Sequence, residues 1–332
     1  MALFQPCSLG LCARSSVKPS PFSEVEEAIL RTLTYSDIFE YPLRPAEIHR
    51  DLIGHQASLE EVEQSLANGS RLFEYIESQD GYCFLRGRGE IVEMRHGRQR
   101  TTEALLKRER GILRLVASLP FVRMVALSGA ACFGNCHSLR DDIDVFIITS
   151  PARLWTVNLP LTFISNRRHR LVKRFVLCPN HLRPSDNRSV EPRDIFNAHQ
   201  VISIKPIYGY EEYLAFIGDN PWVKAIFSNF SPRENTSISP SPTSEKVKGI
   251  LERMLGGSLG DALEKLIFQV HGGYLRWKVR RGRIPSKVKF DKDLINTIKH
   301  NKKEMSIANY QERVRALFSE SQSEKGSSVP TS

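Results

Sequence analysis

The sequence predicts an α+β protein, and three observations carry that prediction. Residues 23–118 read at helical period apart from one hairpin signal. Residues 121–215 switch to short apolar strand runs alternating with helices, and residues 246–318 return to helical period. The 332 residues are 25% charged and 41% hydrophobic, the balance of a globular chain rather than a disordered or fibrous one. That length predicts two or three structural units.

Residues 1–22 carry Ser, Pro and Cys without periodicity and read as a disordered leader. Residues 23–86 form the first unit. Ser23 and Glu26 make a capping box, and Val25, Ile29, Leu30 and Leu33 share one helix face. Pro45 opens a second helix through Leu52, and Ser58 with Glu61 caps a third ending near Gly69. LFEYIES and YCFLRGR then flank Gln79-Asp80-Gly81, a hairpin signal. Three short helices and a hairpin make a winged-helix-like pattern. Residues 87–120 hold one long connecting helix, from about Glu90 to Ser118, which Pro120 ends.

The core unit, 121–230, begins with a strand at Phe121–Leu127. Ile143–Thr149 is almost continuously apolar, as in a strand buried on both faces. Ser150-Pro151 predicts a helix to about residue 169; a strand at Leu171–Cys178 and a helix at Ile195–Ile204 follow. Residues 231–245 are rich in Ser, Pro and Thr and read as a linker. A helical C-terminal region, 246–318, precedes a disordered tail, 319–332.

Composition also excludes. The longest apolar stretch, Leu154–Ser165, is broken by Asn158 and Pro160 and falls short of the roughly 20 residues of a membrane span, so no membrane partner is expected. The N-terminus lacks the charge and apolar core of a secretory signal. Six cysteines, at 7, 12, 83, 132, 136 and 178, make no disulfide framework, and a cytoplasmic location is expected. Lys and Arg outnumber Asp and Glu by 47 to 37, a net +10 that suits nucleotides, RNA or acidic lipid surfaces.

The stretch that carries chemistry is VALSGAACFGNCHSLRDDIDVFIIT, residues 125–149. A strand runs into Ser128-Gly129-Ala130, and Asp142-Ile143-Asp144 opens the next. Gly129 permits a tight bend and lets a phosphate approach main-chain N–H groups, with a helix N-terminus behind it. Residues two apart on a strand face one side, so Asp142 and Asp144 project together. Adjacent carboxylates repel unless a cation lies between them, and oxygen ligands suit Mg²⁺ or Mn²⁺ shared with substrate phosphates.

This arrangement resembles the DNA polymerase β-like nucleotidyltransferase superfamily, whose signature is Gly-Ser, about ten residues, then Asp-x-Asp. The resemblance extends to a set of bacterial nucleotidyltransferase-domain proteins through TLTYSDIFEYPL, DDIDVFIIT followed by RLW, DIFNAHQVISIKP and a basic helical C-terminus. It implies a nucleotidyltransferase-type mixed β-sheet flanked by helices and the metal-dependent transfer of a nucleoside monophosphate from an NTP to an acceptor. It implies Asp142 and Asp144 as catalytic metal ligands and Gly129 as the glycine of the nucleotide-binding bend, with Ser128 and Ala130 beside it as further candidate contacts to the nucleotide. Arg153, just inside the next helix, is a further candidate phosphate contact.

Two departures stand out. Ala130 occupies the position of the superfamily serine, and Leu171–Cys178 holds no third carboxylate; Asp186, Glu191 and Asp194 follow it. General-base catalysis is typically worth about 10²–10⁴-fold, so a catalytically silent nucleotide-binding or scaffold protein is the alternative.

Other candidates weigh less. Cys132, Cys136 and His137 lack a second ligand pair at zinc-finger spacing. The third helix, LEEVEQSLAN, holds three glutamates and no basic residue, so duplex DNA is not an expected partner. The basic runs Arg167–Arg174 and Arg276–Lys289 read as solvated faces or as a funnel for a triphosphate or an RNA acceptor; a protein acceptor and a homo-oligomer are equally compatible. Tyr274, Trp277 and His199 read as interior side chains at helical spacing.

Overall fold

The computed structural model describes residues 22–68, 71–166, 177–184, 186, 188–191, 193–236, 238–283, 289–292, 294–296 and 300–323. The expected leader through Pro21, the basic cluster Arg167–Arg174, most of the Leu171–Cys178 strand and the tail beyond Ser323 lie outside the described residues.

Local signals set the N-terminal elements. Helix α1 (Glu24–Asp37) starts at the expected capping box: Ser23 Oγ accepts from the Glu26 N–H at 3.2 Å, and Glu26 Oε2 accepts from the Ser23 N–H at 2.8 Å. Helices α2 (Pro45–Arg50) and α3 (Leu59–Asn68) follow. LFEY is helical rather than extended: α4 (Leu72–Tyr75) is a single turn, because Leu72 and Ile76, four apart, both enter one core cluster. Strands β1 (Ile76–Gln79) and β2 (Tyr82–Leu85) pair antiparallel about Asp80-Gly81, both at positive φ, as a two-residue hairpin requires. Helix α5 (Glu90–Ala117) spans the connection.

Strands β3 (Val122–Leu127) and β4 (Ile143–Thr149) pair antiparallel, and one-turn α6 (Gly129–Phe133) lies in the connection. Helix α7 (Leu154–Asn166) begins three residues later than Ser150-Pro151 predicts, since Ala152 turns the chain at φ +51°. Strand β5 (Leu177–Pro184) runs parallel to β4. Helix α8 (Ile195–Ser203) leads to β6 (Lys205–Tyr208), which pairs with β3, and then to α9 (Tyr210–Gly218). Short strands β7 (Lys289–Phe290) and β8 (Ile295–Asn296) complete a mixed sheet ordered β6-β3-β4-β5-β8-β7.

Strand alternation divides the core. Ile143, Val145 and Ile147 pack on one side with Val125, Leu127 and the α5 and α7 side chains; Phe146 and Ile148 pack on the other with Met124, Ala126 and α8. β4 is thus buried on both faces, as its apolar run predicts, and Asp144 is the one half-buried position in it.

Helix α10 (Pro242–Met254) begins inside the segment read as a linker, where Ser241 Oγ accepts from the Ser244 N–H. The helical C-terminal region continues with α11 (Ser258–Ile267), a π-turn (Phe268–Gly272) and α12 (Gly273–Arg280). A Cβ on Gly272 would lie 3.2 Å from the Trp155 ring, so the glycine lets this helix rest on α7. That contact sets the inward face, and Tyr274 and Trp277 consequently stand exposed, contrary to the sequence reading. Helix α13 (His300–Ser323) returns to the N-terminal unit, where Tyr310 packs edge-on against Tyr35 at 5.3 Å.

Candidate active site

Strand register creates the bend at Gly129. Leu127 pairs with Val145, and the next N–H, of Ser128, donates to the Asp144 carbonyl at 2.9 Å. Gly129 then turns at φ +59°, lying directly beneath the Asp144 side chain: a Cβ there would meet Asp144 Oδ2 at 2.3 Å. Only glycine combines this backbone conformation with that clearance.

The acidic run divides by role. Asp141 belongs to the loop. Its partial burial opposes ionisation, but hydrogen bonds from Ser138 Oγ (2.7 Å) and the His137 N–H (2.6 Å) outweigh it and hold the carboxyl below the usual range. Asp142 and Asp144 instead line a cavity of about 970 Å³, together with Ser128, Gly129 and Ala130. Ser128 Oγ is buried there with no hydrogen-bond partner among the described residues. Five of the six sequence-predicted site residues therefore share one cavity.

Arg153 does not join them. It is buried beyond the far end of β4, pairs with Asp261 at 2.7 Å and donates to the Leu255 carbonyl, which ties α7 to α11. The expected helix dipole at the bend is also slight, because α6 has only five residues. None of the acids considered as a third carboxylate lines the cavity. Asp194 caps α8 and pairs with Lys303 at 2.6 Å, Glu191 pairs with Arg193, and Asp186 is exposed. Among the described residues, no group of three or more His, Cys, Asp or Glu is arranged to hold a metal.

The cavity walls come from other units. The α1–α2 segment supplies Tyr35, Phe39 and Glu40; α8 supplies His199 and Gln200; α13 supplies Arg313. His199 lies parallel to the rings of Phe39 (5.9 Å) and Phe133 (5.1 Å), and its burial pushes the imidazole down to about 4. It is therefore neutral at pH 7. Asp37 anchors the cationic wall, accepting from Arg88 Nε at 2.9 Å and from Arg313. The Tyr41 hydroxyl donates to the Phe133 carbonyl at 2.8 Å, and Asn135 Nδ2 to the Phe39 carbonyl at 3.1 Å, fixing the N-terminal wall to the bend. Cys132 lies behind it. Burial pushes its thiol up to about 12, and Sγ donates to the Gly129 carbonyl.

Periodicity alone did not place Tyr35, Asp37, Arg88 or Arg313 at a site. A signal was nevertheless present: TLTYSDIFEYPL, DDIDVFIIT and DIFNAHQVISIKP all contribute cavity wall. No family model, curated protein or solved structure matches this chain.

Proposed function

We propose that this cavity is a nucleotidyltransferase site, in which Asp142 and Asp144 hold a divalent cation and the Ser128-Gly129-Ala130 bend receives the triphosphate of an NTP. The observation that carries the reading is the Asp144 carboxylate seated over a positive-φ glycine whose Cβ would displace it. Two carboxylates on one side of a strand, beside open backbone, match the needs of Mg²⁺, which binds through one or two carboxylates and completes its shell with phosphate oxygens and water. Held by Asp142 and Asp144, such a cation would supply neutralisation of the charge that develops as pyrophosphate leaves the transferred nucleotidyl group.

The chain's own residues would do the rest. Gly129 leaves the bend without a side chain, so that the Asp144 carboxylate seats over it and a phosphate can reach the main-chain N–H groups. Ser128 Oγ, on the same wall, donates a hydrogen bond to phosphate; it supplies the hydroxyl that Ala130 lacks. The cavity volume falls within the ~300–1,000 Å³ range of ligand pockets, and the Phe39, Phe133 and His199 rings give it an apolar wall. The mixed sheet, with an antiparallel β3–β4 pair joined through the bend, supports the nucleotidyltransferase-type fold, and the helices and hairpin of residues 24–85 support the winged-helix-like unit.

Among the described cavity residues the other carboxylates, Asp37, Glu40 and Asp51, are each paired with arginine, which favours a second reading, a nucleotide-binding protein without turnover. One experiment separates them. Purified protein is incubated with labelled NTPs and Mg²⁺ or Mn²⁺, and pyrophosphate release and self-labelling are followed. Release that Asp142→Asn abolishes supports transfer; metal-dependent binding without release supports the second reading; no NTP binding refutes both.

A further inference from the structure

Helix α10 is mounted with its polar face inward. Lys248 is buried, and its ammonium donates to the carbonyls of Ala117 (3.1 Å) and Val122 (2.6 Å) and to the Tyr208 hydroxyl (2.9 Å). Glu252 accepts from the Phe121 N–H at 2.6 Å. The apolar side chains of the same helix, Val247, Ile250, Leu251 and Met254, stand in solvent, Met254 at 65% exposure. Their i, i+3, i+4, i+7 spacing is that of a helix's core-facing stripe, here facing away from the core.

The following helices continue the pattern. Leu259 and Val270 are 68% and 66% exposed, and Leu266, Tyr274 and Trp277 are exposed as well. Nine of the sixteen large hydrophobic side chains standing exposed among the described residues fall within residues 247–277. The two acids of α11 are engaged on the protein side: Asp261 with Arg153, and Glu264 with the N-terminus of α7. Cations rim the aromatic end. Lys278 lies 4.6 Å from the Tyr274 ring centroid, and Arg281 and Arg283 lie 5.7 and 5.1 Å from that of Trp277. Arg276 and Arg280 belong to the same turns, and residues 273–283 contain no acid.

We propose that this surface docks on an anionic lipid bilayer, with α10–α12 lying in the interfacial plane. Charge and chemistry select that occupant. A second copy of the chain would bring two basic rims together. A nucleic acid would satisfy the cations and the two aromatic rings but leave seven exposed aliphatic side chains against a hydrated backbone. An anionic headgroup layer over acyl chains accepts all three: aliphatic side chains below, Trp and Tyr at the boundary, Arg and Lys against phosphate. The expectation of no membrane partner rested on the lack of an apolar span, which a peripheral helix does not need.

Flotation of the full-length protein with vesicles tests this directly. Vesicles of phosphatidylcholine alone are compared with vesicles holding about 30% phosphatidylglycerol, whose surface potential attracts basic segments. The protein is expected to float with the anionic vesicles only. Arg280→Ala/Arg281→Ala should weaken partitioning about 25-fold, at about fivefold per basic residue. Leu266→Glu/Val270→Glu should weaken it at least about tenfold while the circular-dichroism melt is unchanged, since both positions are exposed. Equal binding to neutral vesicles, no vesicle binding, or anionic binding indifferent to Leu266→Glu/Val270→Glu each overturns the proposal. So does a concentration-dependent dimer, or single-stranded RNA binding, that this double variant abolishes in a protein that ignores vesicles.

Discussion

Replacing Gly129 with alanine tests the bend where geometry is tightest. The backbone there, at φ +59°, costs a non-glycine residue about 1–2 kcal/mol. The new Cβ would also lie 2.3 Å from Asp144 Oδ2, 3.1 Å from its Cγ and 3.2 Å from its Cβ. The nearest atom is the tip of a side chain on the cavity wall, so the carboxylate can swing aside and the fold survives. Stability should fall by about 1–2 kcal/mol, a loss of a few degrees in Tm, read from urea denaturation and thermal melts. Displacing the carboxylate proposed to hold the cation should cost about 10–10²-fold in metal-dependent NTP binding, read by titration with a non-hydrolysable analogue and Mn²⁺. A double-mutant cycle separates strain from collision: in an Asp144→Ala background the clashing carboxylate is gone and only the 3.2 Å approach of the Cβ remains, so Gly129→Ala should then cost little more than the backbone strain. Wild-type affinity in Gly129→Ala, or a stability loss beyond about 4 kcal/mol, would refute the idea that Gly129 clears a ligand site rather than packs a core.

Three further outcomes follow from packing and electrostatics. Unfolded His199 takes up a proton below about pH 6.5, whereas in the fold it stays neutral down to about 4. Stability should therefore fall by up to about 3 kcal/mol as pH drops through that window, and His199→Phe, which keeps the stacked ring, should flatten the profile; an unchanged slope would contradict the assignment. Glu264 reaches from α11 to the N-terminus of α7, accepting from the Trp155 N–H at 2.7 Å and from the Thr156 N–H and hydroxyl at 2.7 and 2.6 Å. Glu264→Ala should cost about 2–3 kcal/mol in urea denaturation, and a loss below about 0.5 would deny it a capping role. Arg95 pairs with both Glu47 oxygens at 2.8 and 2.7 Å and lies 4.1 Å from the Tyr41 and 4.5 Å from the Tyr82 ring centroids. Arg95→Lys cannot reproduce that planar fork and should cost about 2–3 kcal/mol, against a neutral result if charge alone mattered.

Much of the fold was legible because local chemistry and tertiary packing agree. The Ser23/Glu26 box, the Asp80-Gly81 turn and the apolar run of β4 each specify one structure, and all three form as expected. Expectation failed where a distant contact decides. Leu72 and Ile76 draw LFEY into a helical turn, Ala152 delays α7, and the close approach of Gly272 to Trp155 turns Tyr274 and Trp277 outward. The same limit applies to the site. Ser128, Gly129, Ala130, Asp142 and Asp144 lie on one strand–bend–strand unit, and their convergence follows from strand alternation and pairing. Asp37, Arg88 and Arg313 meet only because α1, the loop between β2 and α5, and α13 pack against one another. Arg153 shows the converse: a cation close to the motif in sequence is claimed by Asp261 on another helix.

The most direct measurement is Mn²⁺ binding, followed by electron paramagnetic resonance, in the presence of a non-hydrolysable NTP analogue, for the unaltered chain and for Asp142→Asn and Asp144→Asn. A single nucleotide-dependent site, weakened at least about 10²-fold by either substitution, is the predicted result. Binding that persists undiminished in both variants, or no nucleotide-dependent binding at all, would contradict it.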